Sequence, residues 1–207
     1  AWNLYLHVPY CKSICSFCNY TRLRVSSQRS LDDYVSFIAS EAQLFAPALE
    51  GVEFGSVYVG GGTPSVLSAE QLSRLFTTLH DTFRFAPGAQ KNFEYDPMVM
   101  TPNRMEVLAE FGFNRFSFGI QSTDVGVNEL HNRGRQGARH IARQFELLEG
   151  VGPSRVNVDF LMGLDGTTPE GMVAEIEQVL RDHQPDEVSI YFISPTPAYV
   201  GAHFGGD

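Results

Sequence analysis

The sequence predicts an α/β fold, a partial (β/α)6 barrel of the TIM type with parallel strands. Six short segments rich in β-branched and aromatic residues alternate with helical patterns, and such an alternation builds a parallel sheet with right-handed crossovers. A sheet of this kind is either open and doubly wound or curved into a barrel. Because a complete eightfold barrel takes about 250 residues, six units in 207 residues fit a partial barrel.

Each strand candidate is short and bounded by turn-forming residues. In chain order the candidates are Leu4–Val8, Ser56–Val59, Asn92–Tyr95, Arg115–Ile120, Val156–Leu161 and Glu187–Ile193. The helical patterns between them are Leu31–Phe45, Ala69–Phe83, Arg104–Phe111, Ala138–Leu148 and Pro169–Asp182. Two helix starts have a physical basis: Gln71 follows Ser68 by three residues, which permits a capping box, and Pro169 suits a first helical turn.

The composition excludes several classes of protein. With 43 % hydrophobic and 19 % charged residues the chain can bury one large core, which excludes disordered and fibrous proteins. Its 15 basic and 24 acidic residues give a net charge of −9, whereas nucleic-acid affinity comes mostly from basic side chains. No apolar run approaches the roughly 20 residues of a membrane span, and no charged-then-apolar leader opens the chain. We therefore expect a cytoplasmic protein with neither nucleic acid nor a membrane as partner.

All three cysteines of the chain follow the first strand, at Cys11, Cys15 and Cys18. An odd number of thiols packed this closely is not a disulfide framework. Soft thiolates on a short loop suit an iron–sulfur cluster or zinc, and a structural zinc site would want a fourth ligand at finger-like spacing. Three thiolates would satisfy three irons of a four-iron cluster and leave one iron open. The pattern favours a cluster over zinc or over buried structural thiols.

A glycine-rich segment, Gly60-Gly61-Gly62-Thr63-Pro64, follows the second strand directly. Glycines at a strand end let a ligand approach the backbone closely. A tight turn ending at Pro64 explains the same residues equally well. The segment matches neither the phosphate-binding loop nor the dinucleotide-binding glycine pattern.

Polar residues recur where later strands end, at Glu94, Gln121 and Asp159. Active sites of parallel α/β folds lie beyond the carboxyl ends of the strands, so these side chains are expected at one mouth. An unpaired carboxylate in an apolar core is costly, so both carboxyl groups should accept hydrogen bonds. The structural alternatives are that Asp159 bonds a loop backbone and that Glu94 pairs with an arginine such as Arg115.

The segments YLHVPYCKSICSFCNY, VGGGTPS, FEYDP, FSFGIQS and VDFLMGL resemble the radical S-adenosylmethionine (SAM) superfamily, in the branch related to oxygen-independent coproporphyrinogen III dehydrogenase. The resemblance extends from Leu4 to about Pro197. It implies a 4Fe-4S cluster on the three cysteines, one or two molecules of SAM, and reductive cleavage of SAM to a 5′-deoxyadenosyl radical. It also implies a small-molecule substrate and an electron donor such as flavodoxin or ferredoxin.

The resemblance implies cofactor contacts residue by residue. Gly61, Gly62 and Thr63 match contacts to the methionyl amino end of SAM, and a side chain at either glycine is expected to block SAM while leaving the cluster intact. The other matching positions are Tyr5 and Phe17 at the border of cluster and cofactor, Glu94, Gln121, Arg133 and Asp159 on SAM, and Ile193 and Ser194 near the adenine.

Three residues limit these assignments. Arg133 could instead be a solvated loop arginine, and His7, a conceivable haem ligand, is more often a packed core residue. The dehydrogenase carries a further cysteine two residues after the third cluster cysteine, where this chain has Tyr20.

We therefore expect methyl transfer or cyclopropanation in natural-product biosynthesis, with two SAM molecules. The alternatives are an oxidative decarboxylase of haem biosynthesis and a haem chaperone of the same branch. Residues 1–207 are expected to form a radical SAM core domain of a longer chain that includes a C-terminal substrate domain.

Overall fold

A computed structural model describes residues 2–205. In chain order its strands are β1 (Trp2–Val8), β2 (Tyr10–Cys11), β3 (Leu23–Arg24), β4 (Glu53–Gly61), β5 (Arg84–Tyr95), β6 (Arg115–Gln121), β7 (Arg155–Met162) and β8 (Glu187–Phe192). Six of these form one sheet in the order β1-β4-β5-β6-β7-β8, with every neighbouring pair parallel. The predicted α/β fold with a parallel, partial-barrel sheet is confirmed.

Seven α-helices lie within residues 2–205. They are α1 (Gln28–Phe45), α2 (Ala69–Thr82), α3 (Pro102–Glu110), α4 (Val125–Leu130), α5 (Ala138–Glu149), α6 (Pro169–His183) and α7 (Pro197–His203). Five match the predicted helices within a few residues. The short helices α4 and α7 were not predicted, because six or seven residues are too few to show helical periodicity. None of these helices has both the length and the apolar character that a membrane crossing requires.

One strand is far longer than predicted. β5 begins at Arg84, whereas the predicted strand begins at Asn92. The prediction was too short because Pro87 and Gly88, which normally break regular structure, lie within the strand. The register against β4 accommodates them with an irregularity: Phe54 pairs with Phe85, and the next paired residue, Ser56, lies opposite Gln90.

The core lies between the sheet and the helices on its outer face. The apolar face of α2 is almost fully buried, and Phe76 packs against Phe93 and Phe113 from the sheet side. The predicted capping box is present, with Gln71 N donating to Ser68 Oγ at 3.2 Å and Ser68 N donating to Gln71 Oε1 at 2.9 Å.

The topology gathers the chemistry-bearing loops at one edge of the sheet. Because all six strands run in the same direction, their carboxyl ends lie at the same edge. The small β2–β3 ladder continues from the end of β1 and pairs Cys11 with Arg24. The cysteine loop is therefore held over the mouth of the partial barrel.

Candidate active site

A cavity of about 350 Å³ opens at the carboxyl ends of the strands. Pockets for small ligands are typically about 300–1,000 Å³, so the space suits one molecule of cofactor size. Predicted residues from five strand ends and the cysteine loop line it together: Phe17, Cys18, Gly61, Gly62, Thr63, Glu94, Gln121, Arg133, Asp159, Ile193 and Ser194.

The three cysteines are free thiols on the loop beside this cavity, and of the three only Cys18 belongs to its lining. Cys11 is buried and accepts a hydrogen bond from Thr63 Oγ1 at 3.4 Å, while Cys18 faces the cavity. Cys15 lies beside Arg133. Burial raises the pKa of the Cys15 thiol, and the neighbouring guanidinium opposes that rise.

The thiols fit an iron–sulfur cluster by their chemistry and their placement. Within residues 2–205, no three His, Cys, Asp or Glu side chains converge closely enough to hold a single metal ion. Thiols set apart on one loop can instead each bind a different iron of a cluster. The side chains that would hold the cluster are therefore Cys11, Cys15 and Cys18.

The glycine-rich segment is packed tightly against the chain itself. Gly61 has a φ of +111°, and a Cβ there would lie 2.8 Å from the ring of His7. A Cβ at Gly62 would lie 2.9 Å from the carbonyl oxygen of Tyr10 and 3.0 Å from Cys11 Sγ. The expectation that a side chain at Gly62 leaves the cluster site intact is therefore wrong, because its first atom already presses on the cysteine loop.

Glu94 enters the cavity as a hydrogen-bonded carboxyl group. Tyr58 donates its hydroxyl proton to Glu94, and a Cβ at Gly60 would lie 2.6 Å from Glu94 Oε2. Burial, and then the charge of Asp159, raise the pKa of Glu94 above its ordinary value. The alternative that Glu94 pairs with Arg115 is wrong, because Arg115 donates to Asn92 and Glu187 instead.

Asp159 is held by side chains of the sheet. It accepts from Asn157 Nδ2 at 2.8 Å and from Ser117 Oγ at 3.4 Å, so the loop-backbone alternative is wrong. Burial raises the pKa of Asp159, and the two hydrogen bonds oppose that rise. Two half-buried carboxyl groups, Glu94 from β5 and Asp159 from β7, thus line this cavity, and each, when ionised, would favour a cationic ligand.

Arg133 is a buried residue and not a solvated one. Its side chain is 11 % exposed; Nη2 donates to the Gly119 carbonyl at 2.8 Å, and Nη1 lies 3.9 Å from Asp96 Oδ2. Its Nε is buried without a hydrogen-bond partner. Arg133 thus lines the cavity with unused donor capacity.

Gln121 reaches the cavity through a distortion of β6. Its φ is +65°, and the register against β7 shifts between Gly119 and Gln121. The side chain turns back over Gly119, where a Cβ would lie 2.2 Å from Gln121 Nε2 and 2.8 Å from Arg133 Nη2. The sequence analysis missed Gly119 and Asp96 as site residues, although both stand within the quoted segments FSFGIQS and FEYDP.

Tyr5 lies outside the cavity lining. It is 57 % exposed, and its hydroxyl lies 2.9 Å from His7 Nδ1. The other ring nitrogen of His7 lies 3.2 Å from the Thr21 carbonyl oxygen, so both nitrogens have protein partners. A cofactor contact for Tyr5 stays a prediction.

Comparisons with known proteins agree with this geometry. A family model described as the Radical SAM superfamily matches residues 5–179. Curated relatives include the oxygen-independent coproporphyrinogen III oxidases of Salmonella typhimurium, 30 % identical over 97 % of this chain and 43 % of that protein, and of Paracoccus denitrificans, 32 % identical over 95 % and 44 %. The chain thus spans less than half the length of these relatives.

Solved structures give the same fold. The coproporphyrinogen III oxidase HemN from Escherichia coli, described as a radical SAM enzyme, superposes with a TM-score of 0.90 at 29 % identity, over 99 % of this chain and 46 % of that chain. SuiB of Streptococcus suis bound to S-adenosylmethionine shares the fold at 16 % identity, with a TM-score of 0.60 over 95 % and 42 % of the two chains.

Proposed function

This chain belongs to the Radical SAM superfamily, whose members use a 4Fe-4S cluster and SAM, and we propose that it serves an oxidative decarboxylation like that of the coproporphyrinogen III oxidases. The observation that carries the proposal is the cavity, which joins Cys18 and the glycine-rich segment to Glu94, Asp159 and Arg133. When bound, the cluster and SAM would supply one-electron reduction and a carbon radical able to abstract a hydrogen atom from substrate.

The side chains of this chain would bind and orient SAM. Glu94 and Asp159 offer counter-charges to its cationic amino and sulfonium groups, and Arg133 offers a planar guanidinium to its carboxylate. Gly61 and Gly62 leave room for the ligand at the strand end. Leu161, a further lining residue, contributes an apolar wall, which helps to exclude water from radical chemistry.

The test uses reduced, reconstituted protein with SAM, coproporphyrinogen III and a one-electron acceptor. The acceptor takes the electron that the substrate radical releases when it loses carbon dioxide. We expect 5′-deoxyadenosine to form together with carbon dioxide and without S-adenosylhomocysteine. Protein that holds a complete cluster but forms no 5′-deoxyadenosine would contradict the proposal. A matched reaction without the porphyrinogen separates turnover from uncoupled SAM cleavage.

Methyl transfer, with cyclopropanation as its relative, is the second candidate. Tyr20 favours it, because Tyr20 lines the cavity where the dehydrogenase has a further cysteine. Formation of S-adenosylhomocysteine together with 5′-deoxyadenosine in the same assay would select this candidate. Stable haem binding without either product would select the haem chaperone.

An external protein must supply the electron, and we propose that an acidic carrier such as flavodoxin docks beside the cysteine loop. Residues 1–31 hold Lys12, Arg22, Arg24 and Arg29 and no acidic residue, whereas the rest of the chain holds all 24 acidic residues. Both Lys12, which directly follows β2, and Arg24, in β3, are exposed. Complementary charge accelerates the encounter of such proteins.

Charge reversal of Lys12 and Arg24 together to Glu is expected to slow reduction by flavodoxin roughly tenfold at low salt. Reduction by dithionite and the iron content should stay unchanged. Charge reversal of Arg139 and Arg143 together, both exposed on α5, is the matched control, because it changes the net charge by the same amount. Equal rates with flavodoxin for parent and double variant would place the donor elsewhere.

A further inference from the structure

A buried polar cluster lies behind the cysteine loop, outside the cavity lining. Ser16 Oγ lies 2.9 Å from His131 Nδ1 and 3.0 Å from His203 Nε2. His203 Nδ1 lies 3.4 Å from Asp165 Oδ2. His131 is fully buried and the His203 side chain is 6 % exposed, so these contacts are shielded from water.

Donor counting fixes the hydrogen-bonding role of the His131 ring. His131 Nε2 lies 3.0 Å from the Asp165 carbonyl oxygen, which can only accept, so Nε2 carries a proton. Burial lowers the pKa of His131, which favours the neutral ring with Nδ1 as an acceptor. Ser16 has one hydroxyl proton and lies within hydrogen-bond distance of both rings, so its hydroxyl group bridges His131 Nδ1 and His203 Nε2.

Ring packing and backbone bonds fix the same groups. The His131 ring stacks on Tyr199 at 5.6 Å between centroids and lies 4.5 Å from the His203 ring. The Tyr199 hydroxyl accepts from the Asp165 amide at 2.9 Å. The Ser16 amide also donates to the His131 carbonyl at 3.1 Å, so loop backbone and side chain are both held.

The order Ser16, His203 and Asp165 is that of a hydrolytic triad, yet nucleophilic catalysis does not follow from it. In a triad the serine proton goes to the histidine that the aspartate orients. Here the Ser16 hydroxyl also contacts a second ring, His131, and none of the three residues lines the cavity. The cluster orders the structure around it and does not attack a substrate.

We propose that Ser16 is a positioning residue, which with His131 and His203 clamps the segment between Cys15 and Cys18 to α4 and α7. The neighbouring Phe17 packs edge-on against His131 at 6.0 Å, and Phe17 and Cys18 then face the cavity. The clamp makes α7 part of the cluster site although no residue of α7 lines the cavity. The effect of the clamp on the geometry of a bound cluster rests on the proposed function.

Hydrogen exchange of the chain without cluster tests the clamp directly. Ser16→Ala and His203→Ala are each expected to raise amide exchange in residues 11–20 at least tenfold. His203→Gln, which keeps a donor near the position of Nε2, should restore most of the protection. Ser13→Ala, at an exposed serine of the same loop, is the matched control and should behave as the parent.

Reconstituted protein gives a second readout. Ser16→Ala and His203→Ala should shift the electron paramagnetic resonance spectrum of the reduced cluster, and Ser13→Ala should not. Parent-like exchange and spectra in both alanine variants would overturn the clamp. If Ser16→Ala fails to fold, the comparison of His203→Ala with His203→Gln decides. A parent that takes up no iron contradicts the proposed function, while the exchange measurement still tests the clamp.

Discussion

A Cys15→Ala chain is expected to lose its iron almost completely. Anaerobic reconstitution of the parent should give about four irons per chain with broad thiolate-to-iron absorption, as a cluster held by cysteine thiolates requires. The chain has only three cysteines, so no further thiol can replace the missing ligand. Iron and sulfide analysis together with the visible spectrum is the measurement.

The control for this loss is Ser13→Ala, which changes the same loop without removing a thiol. It should retain the iron and the absorption of the parent. Two outcomes would contradict the cluster: full iron content in Cys15→Ala, or a parent that binds stoichiometric zinc and takes up no iron.

The position of the site was predictable because it depends on strand order alone. Gln121 ends β6, Glu94 is the last but one residue of β5, and Asp159 lies in the C-terminal half of β7. Parallel strands bring their carboxyl ends to one edge whatever the curvature of the sheet. The cysteine loop lies at the same edge, because it follows the carboxyl end of β1. Local patterns therefore sufficed to place these groups at a single mouth.

The supporting contacts were not predictable from local patterns. Ser16 meets His131 and His203 across 115 and 187 residues of sequence, and no periodicity reports a contact of that span. Both histidines stand at the ends of the short helices that the sequence analysis missed. The structural role of Gly119 likewise depends on how the side chains of Gln121 and Arg133 fold over it.

The contacts around Gly60 to Gly62 correct the interpretation of the glycine-rich segment. A glycine triplet at a strand end signals close approach, but the sequence does not say of what. In the structure the approaching atoms belong to His7, Tyr10 and Glu94, so much of the glycine requirement comes from the protein's own packing. The same glycine-rich segment can therefore form the tight turn and leave space for a ligand.

Arg133→Ala is expected to destabilise the chain without cluster by about 3 kcal/mol, because it removes one partner of a buried pair and the donor to a buried carbonyl. Asp96, whose side chain is 16 % exposed, would keep its charge without the nearby guanidinium. Arg133→Lys retains a cation but not the fork that reaches both Asp96 and Gly119, so its loss should be intermediate. Urea unfolding gives these free energies.

Arg135→Ala provides the matched control, since Arg135 is an exposed arginine two residues away that pairs with Glu129 on the surface. Its effect on the free energy of unfolding should stay within about 0.5 kcal/mol.

Calorimetric titration of the cluster-loaded forms then measures how many SAM molecules each form binds. A parent that binds two equivalents and an Arg133→Ala variant that binds one would assign the guanidinium to a second SAM, as methyl transfer requires. A parent that binds one equivalent would remove the two-SAM candidate. Because Arg133 also faces Cys15, its loss should weaken the cluster site too, so iron content is measured in every sample. Equal unfolding free energies for Arg133→Ala and Arg135→Ala would show that the buried guanidinium holds neither partner.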